Sequence, residues 1–433
     1  MVATLTRIFG VHNLALAEDV VQDAFCRALE VWKFRGVPDN PSGWLMTAAK
    51  NRALDVMRRQ RIALRYAPEL GRLLDSEWTL SSALEAAFEP HAIKDDQLRM
   101  MFSCCNPALP ANAQIALVLQ VQCGFSAREI AAAFLIGLAA AEKRLARAKK
   151  VLAASERLFE IADAGDFAVR LDAVHRALYL LFSEGYHGAS SETAVRAELC
   201  REAIRLCALL LEQPLAATPA TRALYALLCF NAARLTTRID ASGNLVPWGA
   251  QDRSRWDRRL ILEGERELEA AATGHEVSEY HLEAAIAAMH TRASSAGETD
   301  WASIVALYGA LLRLRPSPVV ELNRAIAVAQ IDGPERGLEA LRAIGDPEKL
   351  AAYPFYPAAL GELELRCGRP ANAREHFRAA VALARNSSER RFLERRVAAC
   401  AAGTIVALNE GFVEDAHVMQ KMTPEIRRRA TQV

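Results

Sequence analysis

The chain lacks an apolar run approaching the length of a membrane span, and no signal-peptide-like apolar segment stands near its start. Both absences point to a protein that works in the cytoplasm. Also missing are GxxxxGK followed by Ser or Thr, GxGxxG, GxSxG and HExxH, so neither an enzyme nor a bound cofactor is expected. Nine cysteines are present without a single CxxC pair. An odd number inside apolar helical stretches fits reduced core thiols rather than a disulfide framework. Adjacent Cys104-Cys105 has poor geometry for chelating one ion and no nearby His, so no metal site is expected. Alternating β-branched runs are absent as well, which argues against strands. Excess charge of either sign is lacking, with 53 Lys and Arg against 52 Asp and Glu.

What is present is helical periodicity throughout. Ala, Leu, Arg and Glu dominate nearly every window, and hydrophobic residues make up 52% of 433 residues. The fold class is therefore all-α. Asn40-Pro41 reads as an N-cap with Pro at the first helical position, opening a helix that runs to about Arg61. Ser126 with Glu129 has capping-box spacing just after Gly124, a helix stop. Residues 1–62 form one helical group, 63–94 an acidic linker, and 95–152 a second group. A long amphipathic series follows, divided at about 155–315 and 316–402, with a tail at 403–433 that carries no assignment. Ala325–Ile344 around Gly333 and Leu360–Leu383 around Gly368 repeat at close to the roughly 34-residue period of tetratricopeptide helix pairs. Arg390–Arg396, with Phe392 and Leu393, is expected to seal the end of that stack.

Residues 1–150 hold 19 basic against 15 acidic side chains, and the remainder 34 against 37. The local excess concentrates in Lys50–Arg65 and Lys143–Lys150, where cationic helix faces suit phosphate contact. Ser126–Phe134, Leu135-Ile136-Gly137 and Leu138–Leu152 have the plan of a helix-turn-helix. In its second helix Lys143, Arg144, Arg147 and Lys150 gather on one side. Leu138, Leu145, Ala148 and Leu152 occupy the other, so one face packs while the other meets a major groove.

Leu16–Trp32 (LAEDVVQDAFCRALEVW) and Asn40–Arg61 (NPSGWLMTAAKNRALDVMRRQR) resemble region two of the extracytoplasmic-function RNA polymerase sigma factors. Residues 111–152 resemble their helix-turn-helix region four. Asp95–Leu109, Leu178–Tyr186, Arg196–Leu206, Gln251–Ile261, Ser317–Ala329 and Glu389–Arg396 resemble the subgroup with a helical extension ending in tetratricopeptide-type repeats. The resemblance implies that Glu18, Asp19, Gln22 and Asp23 face core RNA polymerase. It also implies that Trp44, Lys50, Asn51, Arg52, Asp55, Arg58 and Arg59 contact and melt the minus-ten element of promoter DNA. Lys143, Arg144, Arg147 and Lys150 would serve the minus-thirty-five element, and the extension would regulate or support initiation, with a protein partner as one expectation.

Two departures stand beside that likeness. The chain begins within what would be the first region-two helix, so this domain is expected to be shortened. Gly137-Leu138-Ala139-Ala140-Ala141 opens the recognition helix without polar side chains, leaving methyl contact but no hydrogen-bonded base readout. The alternative is a helical-repeat interaction scaffold with a degenerate DNA-binding region; a ligand-sensing repressor is a third reading, separated by whether promoter binding needs polymerase.

Overall fold

The computed structural model describes residues 1–9, 13–63, 96–106, 108–134, 136–154, 164–187, 195–274, 276–351, 353–384 and 386–401. The acidic linker and the C-terminal tail expected from sequence lie outside these residues. Among the described residues the chain is all-α, with only an isolated bridge between Ile239 and Leu245. No helix among them is long and apolar enough to cross a membrane. The chain divides into two compact units, one built mainly from residues 1–127 and 138–174, the other mainly from 128–137, 175–212 and 216 onward.

The first unit opens with α1 (Val2–Phe9), α2 (Leu14–Arg35) and α3 (Pro41–Ala63). α2 is longer at both ends than its motif suggested. Leu14, Ala17, Val20, Val21, Ala24 and Ala28 repeat every three or four residues and form its buried stripe. From Ala17 onward they meet Leu45, Ala49 and Ala53 of α3 and Leu5 of α1. So many alanines at this seam allow α2 and α3 to approach closely. Gly36, at φ +77°, ends α2 by donating its N–H to Trp32 O at 3.0 Å. Asn40 then caps α3, its Oδ1 accepting from Gly43 N at 2.9 Å, with Pro41 as the first helical residue.

α4 (Asp96–Cys104), α5 (Ala111–Val121), α6 (Ala127–Ala133) and α7 (Leu138–Ala154) follow. α1 packs on α4, and α7 packs on α5. The buried face of α7 is Ala141, Leu145, Ala148 and Leu152. Leu138, expected on that face, is 40% exposed because it begins the helix one turn before the packing seam. The two helices of the expected helix-turn-helix form, but they are assigned to different compact units: Arg128–Gly137 to the second, Leu138–Val174 to the first.

The second unit receives α8 (Ala164–His187), within which the boundary falls, then α9 (Ala197–Leu211) and α10 (Pro219–Ala232). α10 is buried almost all round. Thr218 caps it, and Thr221 Oγ1 bonds Ala216 O at 2.5 Å and His175 Nε2 at 2.8 Å. α11 (Arg258–Ala271), α12 (Glu279–Arg292) and α13 (Trp301–Leu314) continue. Two helix pairs come next, α14 (Pro318–Ile331) with α15 (Pro334–Arg342) and α16 (Phe355–Arg366) with α17 (Pro370–Leu383). Gly333 (φ +89°) and Gly368 (φ +73°) turn the chain between partners. Both turns fall at the glycines that the sequence placed between helices. α18 (Ser387–Ala401) packs on α17, with Phe392 and Leu393 buried against Phe377. It also reaches back in sequence: Ser388 Oγ and Arg391 Nη2 both donate to Gly243 O, at 3.1 and 3.2 Å.

At Gly337 of α15 a Cβ would lie 2.4 Å from Ala329 Cβ and 2.9 Å from Leu363 Cδ1. Only a missing side chain lets α15 sit between α14 and α16. Gly337→Val should therefore overpack this seam and destabilise the second unit by about 1–3 kcal/mol, read as a lowered calorimetric transition that leaves the helix content at 20 °C unchanged.

Candidate nucleic-acid interface

At about 100° per residue, Asp19, Gln22 and Cys26 lie on the face of α2 opposite its buried stripe, and Glu18, Phe25 and Leu29 run along the flank between the two. Asp19, Gln22 and Asp23 are exposed. Phe25 and Leu29 are exposed too, Leu29 at 77%. Sequence reasoning selected the acidic residues of this face and passed over its apolar ones. Their signal was legible: α2 completes its buried stripe without Phe25 and Leu29, which fall off phase. A patch mixing acidic and apolar groups has the composition of a protein-docking surface.

α3 runs beside α2. Asn51, Arg52 and Asp55 are exposed on it, and Arg52 Nε donates to Asp23 Oδ2 at 2.8 Å. That pair is open to water on both sides and contributes little to stability. It joins one residue expected to face polymerase with one expected to face DNA. Trp44 is half-buried, its ring 5.5 Å from Trp32 and both packed on the α1–α3 core, so it anchors the two helices. The side chains of Lys50, Arg58 and Arg59 lie outside those described.

On α7 the four cations expected to act together separate. Lys143, Arg147 and Lys150 are exposed on the face opposite the buried stripe. Arg144 lies at the border of that stripe and is half-buried, and desolvation lowers its pKa from the ordinary arginine value. It remains charged near neutrality. Leu138, Ala139 and Ala140 at the exposed start of α7 carry no hydrogen-bonding side chain, so the face is cationic and apolar rather than base-reading.

Lys149 went unnoticed in the sequence. Its ammonium donates to both carboxylate oxygens of Glu18, at 2.8 and 2.7 Å, across 131 residues of chain.

Residues 1–62 match Sigma-70 region 2. Residues 170–272 match a family of unknown function, DUF6596. A protein of Rhizobium meliloti (strain 1021), described as uncharacterized, is 42% identical over 388 residues, covering 89% of this chain and 90% of its own length. The chain belongs to that protein's family. Its α1–α3 bundle is thus a Sigma-70 region 2 domain, carrying the α2 and α3 faces just described.

Within the DUF6596 segment the block Gln251–Trp256 enters a buried polar network. Arg234 Nε and Thr237 Oγ1 donate to Gln251 Oε1, both at 3.3 Å, and Trp256 Nε1 donates to Thr237 Oγ1 at 3.1 Å. Arg253 Nη1 donates to His290 O at 3.1 Å and stacks 4.2 Å from the Trp248 ring. These polar side chains tie a loop to α12, which is a structural use of a strongly patterned motif.

Of the cysteines, Cys104, Cys105, Cys200, Cys207, Cys229 and Cys400 are buried and Cys26 is exposed. Burial raises the Cys104 and Cys207 pKa values and pushes Cys200 up to about 12. Among the described residues no group of three or more His, Cys, Asp or Glu is placed to hold a metal ion. Titration of the native protein with an aromatic disulfide should show one fast thiol that disappears in Cys26→Ser, with the buried thiols reacting only on unfolding.

Proposed function

We propose that this protein is a cytoplasmic sigma factor of the extracytoplasmic-function class, one that directs core RNA polymerase to promoters and opens the DNA. The observation that carries the reading is the Sigma-70 region 2 match, over a bundle whose α2 and α3 present adjacent exposed faces. In this reading Glu18, Asp19, Gln22 and Asp23, joined by Phe25 and Leu29, dock on polymerase. Trp44, Lys50, Asn51, Arg52, Asp55, Arg58 and Arg59 hold the opened strand, which needs a cationic track and aromatic faces. Helices α6 and α7 act as the helix-turn-helix of region four, and Lys143, Arg147 and Lys150 bind duplex phosphates with Arg144 behind them. No bond of substrate is made or broken, so no enzyme activity or cofactor is assigned. The helical extension, with tetratricopeptide-like pairs at α14–α17, supplies a docking platform that initiation requires.

The apolar opening of α7 favours one rival, a helical scaffold whose DNA-binding region no longer reads sequence. Run-off transcription with core polymerase and genomic promoter fragments separates the two, since a scaffold yields no promoter-dependent transcript. Under the favoured reading, Asp19→Lys with Asp23→Lys should weaken capture of core polymerase at least tenfold with helicity unchanged; undiminished capture removes the assignment.

The two cationic sets should also fail differently. Lys143, Arg147 and Lys150 changed together to Ala should weaken duplex binding and reduce its salt slope by roughly 2 to 3. Lys50, Asn51 and Arg58 changed to Ala should leave duplex binding intact and abolish permanganate reactivity of the opened strand.

A further inference from the structure

Between α10 and α11 the chain folds back on itself in a turn: Asp240 N donates to Asn244 O and Val246 N to Arg238 O, both at 2.9 Å. Between this turn and α18 lies a groove of about 350 Å³, within the range of small-ligand sites. Leu245, Val246, Pro247, Phe392 and Ala399 give it apolar walls, while Arg395 and Arg396 bring charge to it. Arg395 is exposed and stands 6.0 Å from the centre of the Phe392 ring. Arg396 is buried; its Nη2 donates to Glu362, and its Nη1 finds no acceptor among the described residues. One turn before Arg395, Arg391 donates to Asn244 Oδ1 and Gly243 O, both at 3.2 Å. Those acceptors are neutral, so its charge is not cancelled. The acids beside the groove are Asp240 and Glu362. Asp240 is spent on its own turn, accepting from Asn244 N, Asn244 Nδ2 and Ser242 N, which holds its carboxyl below the usual range. Arg390 and Glu394, exposed on another face of α18, offset each other. Three guanidiniums against two carboxylates therefore leave one positive charge at an apolar groove.

We propose that this groove binds a small organic acid, one carboxylate carried on an apolar chain or ring. The head group matches the surplus charge, and its two oxygens meet the planar fork of a guanidinium. Arg395 at the mouth makes that contact, and the field of Arg396 in the wall adds to it. The apolar body covers Leu245, Val246 and Phe392 and removes their surface from water. A polyanion such as a nucleotide is disfavoured, because one surplus charge cannot balance several and Asp240 would repel the rest. An extended peptide is disfavoured too, since the backbone of the turn is closed on itself and Gly243 O already accepts from Ser388 and Arg391. The turn belongs to the DUF6596 segment and α18 to the end of the helical stack. A bound acid would thus clamp two parts of the second unit that Ser388 already pins across 145 residues of chain. The inference does not depend on the sigma-factor reading.

The test is calorimetric titration of the full-length protein with octanoate, octanol and inorganic phosphate. Octanoate should saturate a single site. Octanol lacks the charge and phosphate lacks the apolar body, so each should bind at least about tenfold more weakly, as loss of one charge-assisted hydrogen bond or of several buried methylenes requires. Arg395→Glu should abolish octanoate binding, and Arg395→Lys should retain part of it. Val246→Trp, which fills the groove without changing a charge, should abolish it as well. Saturating octanoate should also raise the thermal transition of the wild type and leave that of Arg395→Glu unmoved, because a ligand stabilises only the state that binds it. Circular dichroism checks that the variants keep their helices; if Arg395→Glu loses helix content, Val246→Trp decides. Absence of a saturable octanoate site overturns the proposal. Equal binding of phosphate reduces the groove to a cationic patch, equal binding of octanol to an apolar cleft, and either result overturns it too. So does undiminished octanoate binding in a folded Arg395→Glu or Val246→Trp variant, since the site would then lie elsewhere.

Discussion

Each helix of this chain carries one apolar stripe that water will not accommodate, and nearly everything else follows from where that stripe is put. In the second unit consecutive helices cover one another: α13 with α14, α14 with α15, α16 with α17, α17 with α18. Such a stack has one open end at each terminus, and α18 closes the later one by burying Phe392 and Leu393 while exposing Arg390, Arg391, Glu394 and Arg395. The same requirement makes glycine irreplaceable where three helices crowd together, as at Gly337.

Burying so much helix surface also traps polar groups, and these are satisfied in networks rather than one at a time. Thr221, His175 and Thr218 close the start of α10. Gln251, Arg234, Thr237 and Trp256 knit the loop between α10 and α11. Buried Glu364 receives both Arg342 and Arg369, so a carboxylate inside the repeat region has two compensating cations. These blocks look like functional motifs because their residue types are chemically rich, yet their work here is to hold the extension in one arrangement.

The first unit spends its polar groups differently. Its exposed faces are narrow, chemically mixed and set on rigid helices: acids with Phe25 and Leu29 on α2, amides and charges on α3, three outward cations on α7. Under the proposed function, these three faces would meet a protein, a single strand and a duplex in turn. The Glu18–Lys149 pair couples the first face to the helix bearing the third.

Helix existence, the cap at Asn40, the glycine turns at Gly333 and Gly368 and the buried stripe of α7 from Leu145 to Leu152 were all legible in the sequence, because each depends on residues within a turn or two of one another. The acidic positions on α2 and the cations on α7 were legible for the same reason, although Leu138 and Arg144 were placed on the wrong side of the line between buried and exposed. That line is drawn by packing against α5, a neighbour which local spacing does not reveal. Phe25 and Leu29 were legible only once the true stripe of α2 was known. Lys149 could not be singled out at all, since its partner lies 131 residues away and one lysine among Lys143, Arg144, Arg147 and Lys150 looks like any other. The sequence by itself determined an all-helical chain with a cationic front segment; which charges face water and which face each other was decided only when distant helices packed together, because burial and ion pairing are properties of neighbours in space.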